Sequence, residues 1–386
     1  MWYVAIKMLV GDRAKYLGML MGVTFACLLI THQEAVFVGI MTRTYSVITD
    51  LALPDIWVMD PKVQFIDDSK PLRDTQLYQV RGVDGVEWAV PLYKGSLRAR
   101  LADGNFQACS VLGIDDATLI GGPPEMLEGR LEDLRQEDAV IVDLAGAGGR
   151  LAKPPGRPGE KPMPLKVGDV LELNDHRAVV VGVCRSSRSF QNQPILYTTY
   201  TRAMRFAPRE RKMLSFILVK ARPGQDQKLL CQRIEAATEL KALTSLDFKV
   251  KTFWYFMKFT GIPINLGIAM FMSIIVGAAI AGQTFYTFTL ENLRYFGTLK
   301  AMGAGNSLLF QMILLQAVMV GVIGYGIGVG AASVFGYFAA GTEAAWRVVW
   351  QLPILTAGIV VLICSLSAAI CIRKVMNLEP AVVFRS

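Results

Sequence analysis

Three long stretches without a charged residue constrain this chain more than any other feature. They cover residues 262–288, 307–340 and 352–372, which are 27, 34 and 21 residues long. A helix needs about 20 apolar residues to cross a bilayer, and only helices or closed barrels satisfy their backbone polar groups there. A fourth stretch, 17–40, is apolar over its first half. We therefore predict four transmembrane helices.

Composition supports a membrane protein. Apolar residues make up 53% of the chain, charged residues only 19%, and the mean hydropathy is +0.38. These values exceed those of ordinary globular domains and exclude disordered and fibrous chains. The net charge of +8 is not concentrated on one helix or segment, so we expect no nucleic-acid partner.

The distribution of basic residues predicts the orientation. The short loops on one side carry Lys7, Arg13, Lys15, Arg294, Lys300, Arg373, Lys374 and Arg385, and the opposite short loop carries only Arg347. By the positive-inside rule, both termini should be cytoplasmic, as in a multi-pass membrane protein. In residues 1–16, apolar side chains recur at helical spacing with Lys7, Arg13 and Lys15 between or after them, which predicts an interfacial helix. A cleaved signal peptide is the less favoured alternative.

The predicted organisation assigns every part of the chain. It consists of an interfacial helix (1–16), span 1 (17–40), an extracytoplasmic domain (41–261), span 2 (262–288), a cytoplasmic segment (289–306), span 3 (307–340), an external loop (341–351), span 4 (352–372) and a cytoplasmic tail (373–386).

The 221-residue segment 41–261 mixes 31 basic and 27 acidic residues and should fold as a soluble α+β domain. Two strand-helix-strand units are predicted to flank a β-rich lobe. The first unit covers 55–60, 72–80 and 86–91, the second covers 216–220, 225–240 and 248–252, and the lobe contains strands at 139–142, 170–173 and 178–183. The Gly/Pro-rich stretch 145–164 should form a mobile surface loop.

Catalytic constellations are missing from the sequence. It has only two histidines, His32 and His176, and contains neither G-x-S-x-G nor G-x-x-x-x-G-K-[ST]. We therefore expect no catalytic, metal or cofactor site in this chain. The pair Asp115 and Asp116 reads as a turn after a strand. Cys109, Cys184 and Cys231 allow at most one disulfide, and buried thiols are the preferred interpretation.

Two features within the spans are candidates for a role. Gly324, Gly326, Gly328 and Gly330 form two overlapping G-x-x-x-G spacings, which favour close helix packing either within the chain or across a dimer. His32 and Glu34 are candidate intramembrane polar residues. They lie about 12 to 15 Å from the midpoint of span 1 and should reach interfacial water, with a proton or substrate role as the alternative.

The segment 289–306 is the most informative loop. Leu290, Leu293, Phe296, Leu299 and Met302 are spaced as one stripe of a short amphipathic helix. Such a helix lies either on lipid or in the groove of a partner.

The sequence of this segment resembles a motif of a known protein family. Residues 291–304 (ENLRYFGTLKAMGA) resemble the E-R-x-x-E-[IF]-[GA]-x-L-[KR]-A-[ILM]-G-A segment of MacB/FtsX-type ABC transporter permeases. Residues 373–381 (RKVMNLEPA) are similar to the closing R-x-x-x-L-x-P-A of that family. Asn292 and Tyr295 stand where the family usually has Arg and Glu, and 382–384 (VVF) replace its Glu-Ala-Leu. A large external domain between spans 1 and 2 is also typical of the family, and DevC-type exporter permeases look most similar.

The resemblance implies a non-enzymatic permease of the bacterial inner membrane that dimerises with a second copy or a close paralogue. It would bind two copies of a separate ABC ATPase, which holds ATP and Mg, and a periplasmic membrane-fusion adaptor. The implied function is export or extraction of an amphiphile such as a lipid or lipopeptide; the alternative is an FtsX-like scaffold that activates an external cell-wall hydrolase. The implied ATPase-coupling residues are Glu291, Leu293, Arg294, Tyr295, Phe296, Gly297, Thr298, Leu299, Lys300, Ala301, Met302, Gly303 and Ala304.

Overall fold

The computed structural model describes residues 2–101, 103–155, 161–208, 212–339 and 342–376. The chain divides into two compact units. The helical unit comprises residues 1–40 and 261–386, and the sheet unit comprises residues 41–260.

The described residues form the following elements. The helices are α1 (Trp2–Gly11), α2 (Arg13–Arg43), α3 (Ser46–Asp50), α4 (Asp74–Arg81), α5 (Leu144–Gly148), α6 (Tyr200–Phe206), α7 (Gln227–Thr238), α8 (Ser245–Phe259), α9 (Ile262–Glu291), α10 (Leu293–Ala301), α11 (Asn306–Ala339) and α12 (Gln351–Met376). The strands are β1 (Ile56–Met59), β2 (Val86–Arg100), β3 (Phe106–Ile114), β4 (Glu125–Glu128), β5 (Ala139–Asp143), β6 (Val170–Leu173), β7 (His176–Arg185), β8 (Ile195–Thr199), β9 (Phe216–Ala221) and β10 (Lys241–Thr244). One 3₁₀ helix covers Leu131–Arg135.

The expected fold class is confirmed, since four long apolar helices accompany a mixed α/β unit. α2, α9, α11 and α12 are long and apolar enough to cross a membrane. α9 continues three residues beyond the predicted end at 288, and α2 begins four residues before 17. α1 lies within the predicted interfacial segment, buries Ala5 and Leu9, and packs against α11.

Small residues bring the long helices close together. A Cβ atom added at Gly277 of α9 would lie 2.6 Å from the Cβ of Ala26 on α2. α12 packs against both α9 and α11. Because apolar side chains gain little from leaving lipid, such close backbone approach is what holds membrane helices together. On α11, the buried Gln316 donates a hydrogen bond from Nε2 to the Ala5 carbonyl oxygen at 2.8 Å, which fastens α1.

The sheet unit is built on ten strands in the order β10-β1-β9-β2-β3-β8-β5-β7-β4, with β6 paired to β2 and β7. The long strand β2 belongs to both halves of this sheet. Its residues Val86–Leu92 pair with β9, and Tyr93–Arg100 pair with β3. The two predicted flanking units therefore share one sheet, since β1 pairs with both β9 and β10.

One predicted strand is wrong. Residues 248–252 lie in helix α8, and the last strand is β10, immediately before it. Thr244 ends β10 and caps α8, because its Oγ1 accepts a hydrogen bond from the Asp247 amide at 3.1 Å. This is the arrangement that satisfies a free amide at a helix start. Phe248, Thr252 and Phe256 form the buried face of α8.

The stretch 145–164, predicted as a mobile surface loop, contains regular hydrogen-bonded structure where it is described. It starts within α5, and Lys153 and Met163 pair by two backbone hydrogen bonds of 2.8 and 3.0 Å. Leu151 and Leu165 are buried beside this bridge. Residues 156–160 lie outside the described part of the chain.

The cysteines are free and buried, which confirms the preferred interpretation. In the sheet unit, burial raises the pKa of the thiols of Cys109, Cys184 and Cys231 to about 12 each. Asp115 forms the expected turn, because its Oδ2 accepts hydrogen bonds from the Thr118 amide at 2.8 Å and the Thr118 hydroxyl at 2.7 Å.

Candidate coupling site

α10 is a short helix held between two long ones. α9 ends at Glu291, Asn292 connects them, and α10 begins at Leu293. At the other end Gly303 has a φ of +95°, in the left-handed region that favours glycine. The amide of Gly303 then bonds the Lys300 carbonyl at 3.1 Å, and the next amide bonds the Leu299 carbonyl at 3.0 Å. This C-terminal closure fixes where α10 stops and α11 starts.

One face of α10 is part of the core of the helical unit. Phe296, Gly297 and Leu299 are buried, and Leu293 is half-buried. Phe296 and Leu299 belong to the same buried apolar cluster as Leu309 of α11. A displacement of α10 must therefore displace the side chains of neighbouring helices, because packed cores deform little.

The single stripe predicted for this segment is only partly correct. Leu290 is 36% exposed and Met302 is 72% exposed, whereas the three positions between them face the core. The cause is the break at Asn292: Leu290 belongs to α9, and Met302 follows the last residue of α10.

The opposite face of α10 is exposed. Tyr295 is 62% exposed, and Arg294, Thr298 and Ala301 are exposed with it. Glu291, Met302 and Gly303 are also exposed, and Lys300 and Ala304 are half-buried. Tyrosine, methionine and arginine are enriched in protein interfaces, so this face has the chemistry of a docking surface. We call the set Glu291, Arg294, Tyr295, Thr298, Ala301 and Met302 the exposed coupling face.

An ion pair connects this face to the N-terminal segment. Lys15 Nζ lies 2.9 Å from Glu291 Oε2 and 2.9 Å from Asp12 Oδ2. Hydrogen bonds from Lys15 hold the pKa of the Asp12 carboxyl below its usual value. Lys15 was not among the predicted site residues, because its partner at 291 is far away in the sequence.

The four candidate glycines of α11 divide into two pairs. Added Cβ atoms at Gly324 and Gly328 would lie 2.9 Å from Val23 Cγ1 and 2.6 Å from Cys27 Cβ, both on α2. Added Cβ atoms at Gly326 and Gly330 would meet no described atom within 4 Å. The first pair thus packs within the chain, and the second pair lies on the outer side of α11.

Glu34 does not reach solvent, contrary to expectation. Its side chain is 3% exposed, and Oε2 accepts a hydrogen bond from the Thr356 hydroxyl of α12 at 2.8 Å. The Thr31 hydroxyl lies 3.3 Å from that of Thr356, and Oε1 of Glu34 accepts no hydrogen bond from the described residues. His32 is half-buried, with its ring 5.2 Å from that of Phe335. Glu34 therefore joins span 1 to span 4.

Two family models match the chain. The model for the FtsX-like permease C-terminal domain matches residues 267–380, which include α10 and the helices around it. The model for the MacB-like periplasmic core domain matches residues 17–237, more than half of the chain. The chain belongs to the MacB/FtsX-type ABC transporter permeases. As a permease of this type with four apolar helices, it is a multi-pass membrane protein, and permeases form the membrane component of their transporters.

Three individual proteins that match this permease are 14–25% identical to it. An uncharacterized ABC transporter permease of Methanocaldococcus jannaschii is 25% identical over 170 residues, which are 42% of each chain. The match thus spans less than half of that relative's length. The periplasmic region of MacB from Actinobacillus actinomycetemcomitans is 15% identical and aligns over 53% of this chain and 94% of that one, with a TM-score of 0.37. The extracellular domain of the transporter YknZ from Gram-positive bacteria is 14% identical over 50% and 98% of the two chains, with a TM-score of 0.33.

The structure describes only part of the family motif at the C-terminal end. The backbone of α12 continues to Met376, and residues 377–386 lie outside the described part of the chain. In the described residues no group of three or more His, Cys, Asp or Glu side chains is placed to hold a metal ion.

Proposed function

We propose that this permease is the transmembrane subunit of an export machine and that its exposed coupling face binds a separate ABC ATPase. The observation that carries the proposal is that one face of α10 is buried and the opposite face is exposed. Phe296 and Leu299 are fixed in the core of the helical unit, whereas Tyr295 on the other side is 62% exposed. A partner that binds the exposed side and changes conformation would therefore displace α10 and the helices packed around it as rigid bodies.

The topology that fits this role places both termini and α10 in the cytoplasm of the bacterial inner membrane, and the sheet unit outside. The excess of basic residues in the short loops on the α10 side supports it. ATP and Mg would then be bound by the partner ATPase, two copies of which would serve a dimer of permeases. A periplasmic membrane-fusion adaptor would contact the sheet unit.

Export or extraction of an amphiphile fits the spans better than transport of a polar solute. The stretches 262–288, 307–340 and 352–372 contain no ionisable acidic or basic residue, whereas a polar path usually needs several. In span 1, the buried carboxylate of Glu34 is held against span 4 by the hydrogen bond that its Oε2 accepts from Thr356. The helices would thus transmit motion, and the substrate would be handled by the sheet unit at the outer surface.

The test is to replace Arg294 and Tyr295 by alanine and to measure binding and stimulation of the ATPase in nanodiscs. Gly297 and Leu299 are unsuitable positions, because both are buried and a polar replacement would damage the core. If Tyr295 is an interface hot spot, the double variant should bind the ATPase about 30-fold more weakly, which corresponds to about 2 kcal/mol. Tyr78→Ala provides the matched control, since Tyr78 is 66% exposed on α4 of the sheet unit.

Unchanged ATPase binding and stimulation in the double variant would contradict the proposal. Identification of the proteins that co-purify separates the two family roles. A membrane-fusion protein in the complex supports export, and a cell-wall hydrolase in its place would favour the FtsX-like scaffold.

A further inference from the structure

The sheet unit contains a polar pocket with a volume of about 290 Å³. It opens beside the middle of β2, next to Tyr93–Ser96, with Ser110 of β3 opposite Ser96 in the strand register. Ligand pockets in proteins start at about 300 Å³, so this one has the size for a single-ring molecule. Nothing in the coupling role of α10 uses it.

The pocket exists because β2 changes partners. β2 pairs with β9 as far as Leu92 and with β6 only from Ala99. Between those two residues, β3 is its only partner among the described strands. The loop after β1 contributes Asp67 to the space beside this part of β2, and the loop after β7 contributes Ser189 and Gln193. This gap between two strand partners leaves space for a small ligand beside β2.

The charges in the pocket cancel. Lys94 is 8% exposed, and its ammonium group is paired with the Asp67 carboxylate. The Lys94 backbone is fixed too, because its amide bonds Ser215 Oγ at 3.0 Å. A buried pair of this kind is costly to separate, so neither an anion for Lys94 nor a cation for Asp67 would bind well.

The other polar groups that line the pocket are of types that both donate and accept hydrogen bonds, although the Ser69 hydroxyl already donates one to the Lys94 carbonyl oxygen at 3.4 Å. They are the hydroxyls of Ser69, Ser96, Ser110 and Ser189 and the amides of Gln191 and Gln193. Ser189 is 8% exposed, and its Oγ is buried with no hydrogen-bond partner in the described part of the chain. A buried hydroxyl without a partner lowers stability, and a ligand hydroxyl in the pocket would relieve that cost.

We infer that this pocket binds a neutral saccharide ring. A sugar carries several hydroxyls, each able to donate and accept, and no charge that would compete for Lys94 or Asp67. The side chain of Met213, which is half-buried at the edge, offers an apolar contact for the C–H face of such a ring. The inference concerns the sheet unit alone and is independent of ATPase binding by α10.

Binding should be measured by saturation-transfer difference NMR on the full chain in phospholipid nanodiscs, because glycosidic detergents would occupy the site. The probes are glucose and N-acetylglucosamine, with sodium phosphate and glycine as charged competitors. A monosaccharide has few atoms to contribute binding energy, so a dissociation constant of about 1 mM is expected. Ser189→Ala and Gln193→Ala should each weaken binding about two- to tenfold, the effect of one lost hydrogen bond.

Gln79→Ala is the matched control, since Gln79 is exposed on α4 outside the pocket, and it should leave binding unchanged. Ser189→Ala removes a hydroxyl that has no partner in the described residues, so the variant should fold normally. The inference is overturned if the folded chain binds neither sugar, if phosphate or glycine displaces the sugar, or if both pocket variants bind it as well as the control does.

The natural source of the sugar can be distinguished in the same assay. If the ring is the headgroup of a lipid, nanodiscs that contain monoglucosyl diacylglycerol should compete with soluble glucose. If it belongs to a soluble or wall glycan, that lipid should leave glucose binding unchanged. Both results support the saccharide site, because each requires that glucose binds.

Discussion

Replacing Gly328 by alanine should separate α11 from α2, whereas the same change at Gly326 should not. The Cβ atom added at position 328 would lie 2.6 Å from Cys27 Cβ and 2.7 Å from the Thr24 carbonyl oxygen. Favourable contacts between such atoms lie at about 3.5 to 4.0 Å, so the two helices would have to move apart by about 1 Å. Overpacking of this kind typically costs about 1–3 kcal/mol.

At Gly326 the added methyl group would meet no described atom within 4 Å. There, only the higher helix propensity of alanine remains, which is worth up to about 1 kcal/mol in favour of the variant. The same gain offsets part of the cost at Gly328, and therefore the two variants should differ by about 1–3 kcal/mol. This difference corresponds to a gap in melting temperature of about 2–4 °C per kcal/mol.

The assay is thermal unfolding of both variants in the same detergent, followed by the fluorescence of a fused reporter or by intrinsic tryptophan emission. Gly326→Ala serves as the control, because it changes the same residue type two positions away on the same helix. If Gly328→Ala melts at or above the temperature of Gly326→Ala, the close contact between α11 and α2 does not exist as described. If Gly326→Ala weakens self-association without lowering the melting temperature, the outer side of α11 is the dimer face.

Three further predictions concern other parts of the chain. Burial raises the pKa of Cys109 to about 12, so its thiolate fraction near pH 8 should be on the order of a thousandfold below that of a free thiol. The rate of maleimide labelling of the native chain should still rise about tenfold per pH unit at pH 9, whereas the rate for the denatured chain should level off above about pH 8.5. A plateau in both rates would contradict the burial. Thr244→Ala should remove the N-terminal cap of α8, which stabilises the helix by about 1 kcal/mol, and accelerate amide hydrogen exchange in its first turn about fivefold. Exchange at the wild-type rate would show that the cap does not stabilise this turn. Lys15→Glu and Glu291→Lys should each reduce stimulation of the ATPase, and the double variant, which restores an ion pair with the charges exchanged, should recover part of it. Purely additive losses would show that Lys15 and Glu291 do not act as a pair.

The helical unit could be predicted from sequence because its signal is local. In α9 and α11, uncharged runs longer than a bilayer crossing leave no alternative to a helix. The end of α10 is also encoded locally, since Gly303 adopts a positive φ. The break at Asn292 is not predicted, because neither a proline nor a glycine marks it, and the exposure of Leu290 follows from that break.

The sheet unit shows where local signals compete. Val250 and Thr252 favour a strand by propensity, yet they lie in α8 because Thr244 and Asp247 form a helix cap. The sequence contained that capping pattern, and it should have outweighed the propensity. The pairing of Glu34 with Thr356 had no such signal, because the two residues are 322 positions apart and meet only in the folded bundle.

The 15-residue strand β2 has a mechanical consequence for the sheet unit. Because Val86–Leu92 are hydrogen-bonded to β9 and Tyr93–Arg100 to β3, one continuous backbone serves as a beam through both halves of the sheet. A hinge between the halves would require breaking the ladder on one side of this beam. The two halves of the sheet should therefore move together as one rigid body. Deleting either half would leave part of β2 without a strand partner, and such an unpaired edge promotes aggregation.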